Sequence, residues 1–259
     1  LSMTRKPFFD AECWHDLVRR GFDAFSYHNH IDFLIAVFLL VFIYKQPLLR
    51  EKYKDFAVIV AIHAYISAEY VLQDDLGRLT NMHRCQDFPV FIKVTQKAGF
   101  FFKAIMQAVI HMLLLQYFSR HERPLSPFIV VGVPVAMAIF PVYTGLCYTS
   151  FSVLLGGDVT RCMTGFANIG LAGYLLWKGC TSTHFPLLAF AHELVYVPCD
   201  LIIHLPTVTV VSNELHIFVQ EADGFWWWIV AVFATVLFCM DIKGDAKPEQ
   251  NTFQNETFV

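Results

Sequence analysis

Charge is scarce in this 259-residue chain: only 16% of the residues are Asp, Glu, Lys or Arg, against about 25% in an ordinary soluble domain. Lys and Arg number 19 against 22 Asp and Glu. No basic excess exists to neutralise phosphates, so a nucleic acid is not an expected partner. Glycine (13) and proline (11) are too few for a collagen-like or linker chain. A disordered chain is excluded by an aromatic content of 16% and a net charge of only −3. Signatures of known chemistry are missing as well. The chain has no HExxH, no CxxC, no multiple-histidine box, no GxSxG and no glycine-rich phosphate loop. Nor does the last apolar stretch carry a lysine that could hold retinal. The cofactor therefore stays unknown at this level.

What the chain has in excess is apolar surface: 56% hydrophobic residues, 26 of them Phe, and a mean hydropathy of +0.49. A bilayer core of about 30 Å needs about 20 mostly apolar residues per helix, with all backbone groups bonded internally. Seven stretches qualify: Ile31–Leu49, Phe56–Gln73, Ala98–Phe118, Pro127–Tyr148, Cys162–Trp177, Phe185–Leu205 and Phe225–Met240. The expected fold is an all-α, polytopic transmembrane bundle of about seven spans, six being the competing count. Residues 31–242 form the membrane domain, preceded by an N-terminal segment (1–30) and followed by a polar tail (243–259). In the first segment Trp14, Leu17, Val18, Gly21 and Phe25 recur at helical spacing, opposite Asp16, Arg19, Arg20 and Asp23. That pattern predicts an amphipathic helix lying in the headgroup layer or against other protein. The run Phe225–Trp228 reads as an interfacial aromatic belt. Pro127 to Gly157 carries no charge, so the fourth helix is expected to run on, or re-enter, towards Leu155.

Charge gives no orientation. Arg5, Lys6, Arg19, Arg20, Arg78, Arg84, Lys93, Lys97 and Arg161 fall on the N-terminal side. Lys45, Arg50, Lys52, Lys54, Arg120, Arg123, Lys178, Lys243 and Lys247 fall opposite, so the two sides tie. Cys13, Cys85, Cys147 and Cys162 share the N-terminal face. They read either as free thiols or as two disulfides on an oxidising side.

Ionisable residues inside spans cost about 2.5–3.5 kcal/mol each on insertion scales, which makes them functional candidates. The second span carries His63, Ser67, Glu69 and Tyr70. Lys103, Gln107 and His111 form one stripe on the third, and His192, Tyr196, Asp200 and His204 another on the sixth, with Glu193 beside it. Steps of four keep such residues on one slowly winding face. The simplest arrangement turns the three stripes inward around a common centre, with Lys103 neutralising Glu69 or Asp200. Asp200 and His204 have the spacing of a helical metal-ligand pair, which His63 or His111 could complete. The fifth span, with Gly165, Ala167, Gly170, Ala172, Gly173 and Asn168, reads as a closely packed helix.

Three functions fit these residues. The leading one is a membrane protein whose buried polar site binds a small ligand or passes protons or ions, as a transporter, channel or receptor would. The second is a membrane-embedded enzyme acting on a lipid or sterol-like substrate by acid–base chemistry. The third is an accessory subunit held by membrane-protein partners. In all three the lipid bilayer is the expected surrounding.

Overall fold

The computed structural model describes residues 28–81, 90–147, 151–180, 184–204 and 226–245, which are almost wholly helical and contain no strand. The amphipathic N-terminal segment and the polar tail beyond 245 lie outside the described residues. We number the helices α1 (His28–Lys45), α2 (Pro47–Lys52), α3 (Lys54–Asn81) and α4 (Val90–His121). A π-helical turn (Phe128–Gly132) leads into α5 (Val133–Cys147), followed by α6 (Phe151–Trp177), α7 (Phe185–His204) and α8 (Trp226–Asp245). Three of these, over Lys54–Leu72, Phe101–His121 and Trp226–Asp245, are long and apolar enough to cross a membrane.

Proline accounts for two local departures from the expected helices. The stretch Ile31–Leu49 is not one helix. A residue before proline is driven out of the α region, and Gln46 is extended, at φ −104° and ψ 110°, with Pro47 opening α2. The π-helical turn precedes Pro134, whose missing N–H interrupts the α ladder at this point. The charge-free run after Pro127 does not continue as one helix: α5 stops at Cys147 and α6 begins at Phe151, well before the expected start at Cys162. Asp158 and Arg161 thereby fall inside a helix.

The helices pack as a closed circuit. Neighbours run α1–α3–α4–α5–α6–α7–α8 and back to α1, with α4 against α6 and α3 against α7 across the middle. Close approach depends on missing side chains. A Cβ on Gly157 would stand 2.0 Å from Oγ1 of Thr144 on α5, and one on Gly165 would stand 2.2 Å from Cγ2 of Val197 on α7. Gly170, expected to serve the same purpose, has open space beside it.

At the end of the bundle where α1 and α8 finish, α2 is tied down by polar contacts. Lys52 Nζ lies 2.6 Å from Oδ1 of Asp241, and the Tyr53 hydroxyl donates to the same carboxylate. His184 Nε2 stands 3.4 Å from Asp241 Oδ1. Burial, followed by the Asp241 carboxylate, holds the Tyr53 phenol above its ordinary pKa, so its hydroxyl remains a donor.

Polarity is turned inside out. Leu34, Phe38, Val232 and Met240 are each at least 60% exposed, whereas His63, Gln107, His111, Asn168, His192, Glu193 and Asp200 are buried. A water-soluble bundle does the reverse.

Gly165→Ala should lower the unfolding midpoint in detergent, the overpacking costing about 1–3 kcal/mol. Gly170→Ala, with no neighbour to displace, should be neutral or gain about 0.5–1 kcal/mol. Equal losses in the two variants would contradict the close α6–α7 packing.

Candidate functional site

Two polar groupings lie inside the bundle, and α6 contributes to both. The first centres on Asn168. Its Oδ1 accepts from Nδ1 of His111 at 2.7 Å, which places the proton on that ring nitrogen. Its Nδ2 faces the Gln107 backbone oxygen and Oε1, both at 3.3 Å, and Glu193 Oε1 at 3.4 Å. Glu193 Oε1 in turn lies 3.4 Å from Nδ1 of His192. One amide therefore gathers groups from α4 and α7, and Gly165 on α6 leaves the room that Glu193 and Val197 occupy.

The second grouping is an ion triad. Arg161 grips Asp200 with two bonds, Nε to Oδ2 at 2.9 Å and Nη2 to Oδ1 at 2.7 Å, and Nη2 also stands 3.4 Å from Oδ1 of Asp158. Tyr196 donates to Asp200 Oδ1 at 3.3 Å, and the Cys162 sulfur lies 3.9 Å from Oδ2. All three charged side chains are at most 3% exposed. Two carboxylates face one guanidinium, so the triad is negative unless one carboxyl keeps its proton.

Aromatic rings join the groupings. Trp226 sets its edge or face against His63 at 5.1 Å, His192 at 4.8 Å and Tyr196 at 5.2 Å between centroids. Trp227 stacks on His63 at 3.9 Å, while His63 Nε2 is 3.3 Å from Oγ of Ser67. From His192 to Asp200 is eight residues of α7, so the chain of polar groups runs about 12 Å along the helix axis.

The structure thus brings together His63, Gln107, His111, His192, Glu193, Tyr196 and Asp200. Two expected members also have neighbours of their own, and Lys103 lies near enough to His63 to bear on it electrostatically. Lys103 has its Nζ 5.6 Å from the Tyr70 ring, and Glu69 is hydrogen-bonded by Tyr65, a half-exposed residue on its own helix. The counter-charge at Asp200, expected from Lys103, is Arg161. That arginine was counted among the loop cations; at 1% exposure it is inside the bundle, because α6 starts earlier than its hydropathy suggests. The signal for it was present: Asp158 and Arg161 are spaced three apart, as a helical ion pair requires.

Other expectations also change. Trp226 and Trp227 do not form a belt at the bilayer surface. They are 7% and 0% exposed and line the histidines, and the Trp228 indole N–H donates to the buried carboxylate of Asp32. Cys162 is a free, buried thiol and enters no disulfide, whereas Cys13, Cys85 and the Cys147 side chain lie outside the described residues. Of the metal pair, Asp200 has both oxygens engaged by Arg161, and the His204 side chain lies outside the described residues. Among the described residues no three His, Cys, Asp or Glu converge as a metal site.

Chemically, the centre has unspent capacity. Nδ1 and Nε2 of His192, Oε2 of Glu193, Nε2 of Gln107 and Nε1 of Trp227 are buried with no hydrogen-bond partner among the described residues. Leaving such a group unsatisfied costs about 1–3 kcal/mol, so five atoms in one neighbourhood are more than packing tolerates. The His192–Glu193 pair can hold one proton on either partner at no change of net charge.

No family model matches this chain, and neither a curated protein nor a solved structure matches it.

Arg161→Ala should destabilise the detergent-solubilised protein by about 3–5 kcal/mol by stranding Asp200. Arg161→Met combined with Asp158→Leu and Asp200→Leu, which removes the whole triad, should recover much of that loss. Tryptophan fluorescence during thermal unfolding checks both, and an unchanged midpoint in Arg161→Ala would refute the pairing.

Proposed function

We propose that this is a multi-pass integral membrane protein whose buried centre, built on His192, Glu193, Gln107 and Asn168, takes up protons or a small polar ligand. The seven long helices α1, α3, α4, α5, α6, α7 and α8 cross the bilayer in this reading, with the N-terminal amphipathic segment on its surface. Support for the bilayer comes from three helices of spanning length and from the apolar exterior around a polar interior.

One observation carries the functional reading: five buried donor and acceptor atoms between α4, α7 and α8 make no hydrogen bond among the described residues. A small polar guest, water included, would satisfy them. The groups that surround it, three histidines and a carboxyl, are of the kinds that accept and release protons in relays. Tyr196 then connects this centre to the Asp200–Arg161 pair, giving a file of hydrogen-bonding groups along α7.

Reconstitution into liposomes containing a pH-sensitive dye tests this directly. A pH step should discharge faster through the protein than through empty vesicles. Glu193→Gln should lower that rate by about tenfold or more, as expected when a proton-relay group is removed, and Glu69→Gln should leave it unaltered. Native mass spectrometry covers the ligand alternative, for which a small molecule should be retained by the wild type and lost in Glu193→Gln. Flux equal to that of empty vesicles together with no retained molecule would overturn the reading.

A further inference from the structure

A second site lies far from this centre, at the end of the bundle where α4 finishes and α3 begins. An open groove of about 400 Å³ is lined there by Lys52 and Glu51 of α2, Lys54 of α3, and Tyr117, Arg120 and His121 of α4. That volume is in the range of small-molecule sites, about 300–1,000 Å³. Three of these side chains are basic and one is an acid. Lys52 already serves Asp241, which leaves the exposed Lys54 of α3 and Arg120 of α4.

The groove has a built floor. Tyr117 is 4% exposed, and its hydroxyl donates to Oδ2 of Asp55 at 3.0 Å. Its ring stacks with Phe185 at 5.5 Å and with His121 at 6.2 Å, while the Arg120 guanidinium stands 5.9 Å from the ring centroid. Arg120 and His121 thus stand beside a buried aromatic ring at the rim of the groove. Depth fixes the rest: one apolar helix begins at Lys54 and another ends at His121, so the groove sits where a bilayer presents its headgroups.

We infer that this groove binds the phosphate of an anionic lipid headgroup, Lys54 and Arg120 closing on the phosphate oxygens and the His121 ring adding a donor. The inference rests on the reading that α3 and α4 cross a bilayer, since a groove at that depth meets lipid phosphates before any soluble anion. Cations near an anionic membrane surface contribute about 1 kcal/mol each, so two of them correspond to a preference on the order of tenfold or more.

Native mass spectrometry of the full chain, loaded from micelles holding equal amounts of phosphatidylinositol 4-phosphate and phosphatidylcholine, tests it. The wild type should retain the phosphorylated lipid by roughly tenfold over phosphatidylcholine. Lys54→Gln with Arg120→Gln should abolish the preference without moving the thermal midpoint, because both residues are exposed. Arg50→Gln with Lys243→Gln removes the same charge from the same end outside the groove and should preserve it. Equal retention of the two lipids by the wild type, or equal loss in both double variants, overturns the inference. Displacement of the lipid by millimolar inorganic phosphate overturns its assignment to a headgroup. Extraction with alkaline carbonate reports separately on the bilayer: a chain that stays in the membrane pellet yet shows no lipid preference refutes the groove alone.

Discussion

A charge in a medium of low dielectric must be neutralised at close range, and the Arg161–Asp200 pair answers that constraint. The two parallel bonds at 2.7 and 2.9 Å set the rotation of α6 against α7 as well as their separation. Once Asp200 is held, the winding of α7 brings Tyr196 beneath it and points His192 and Glu193 towards α4, where Asn168 of α6 links Glu193 to Gln107 and His111. Replacing the whole triad by apolar groups would satisfy stability about equally well, since burying charges costs nearly what their attraction returns. What the pair supplies is angular definition, which a greasy contact lacks.

Association of the helices otherwise follows the physics of an apolar surrounding. Lipid tails are as apolar as the side chains of Leu34 or Phe38, so excluding such residues from lipid gains little, and close backbone approach and interior hydrogen bonds carry the contacts. Gly157 and Gly165 supply the first on two sides of α6. The indoles of α8 supply large, rigid surfaces that meet His63 and His192 with ring faces and edges. The apolar parts of the interior are filled in the usual way, by Leu39, Val60, Ile110, Leu114, Leu188 and Phe238 among others.

Helical periodicity made the stripes on α4 and α7 legible, because steps of four fix a common face whatever the neighbours are. Gln107 and His111, and His192, Tyr196 and Asp200, accordingly meet as their spacing demands. Partner choice is not periodic, and there the sequence was silent. Arg161 escapes a hydropathy reading because a charged pair within one turn lowers the local hydropathy and makes a helix look shorter than it is. A stripe favours Lys103 as counter-charge only because its cation lies on one. The Trp run is ambiguous for a different reason: an indole suits a headgroup layer and a packed interior alike, and the Trp228–Asp32 bond, a contact 196 residues apart, favours the inward rotation. Asn168 is legible as a cross-helix contact, but its role as the hub appears only when three helices are seen together.

The circuit of helices closes by bringing the first described helix against the last. A ribosome releases α1 and α3 long before α8 exists, so during synthesis Asp32 lacks its Trp228 donor and His63 has no Trp227 to stack upon. A chain cut short before residue 226 therefore loses more than one helix: it loses the indole faces that α8 lays against His63 and His192, and with them the wall that closes the circuit.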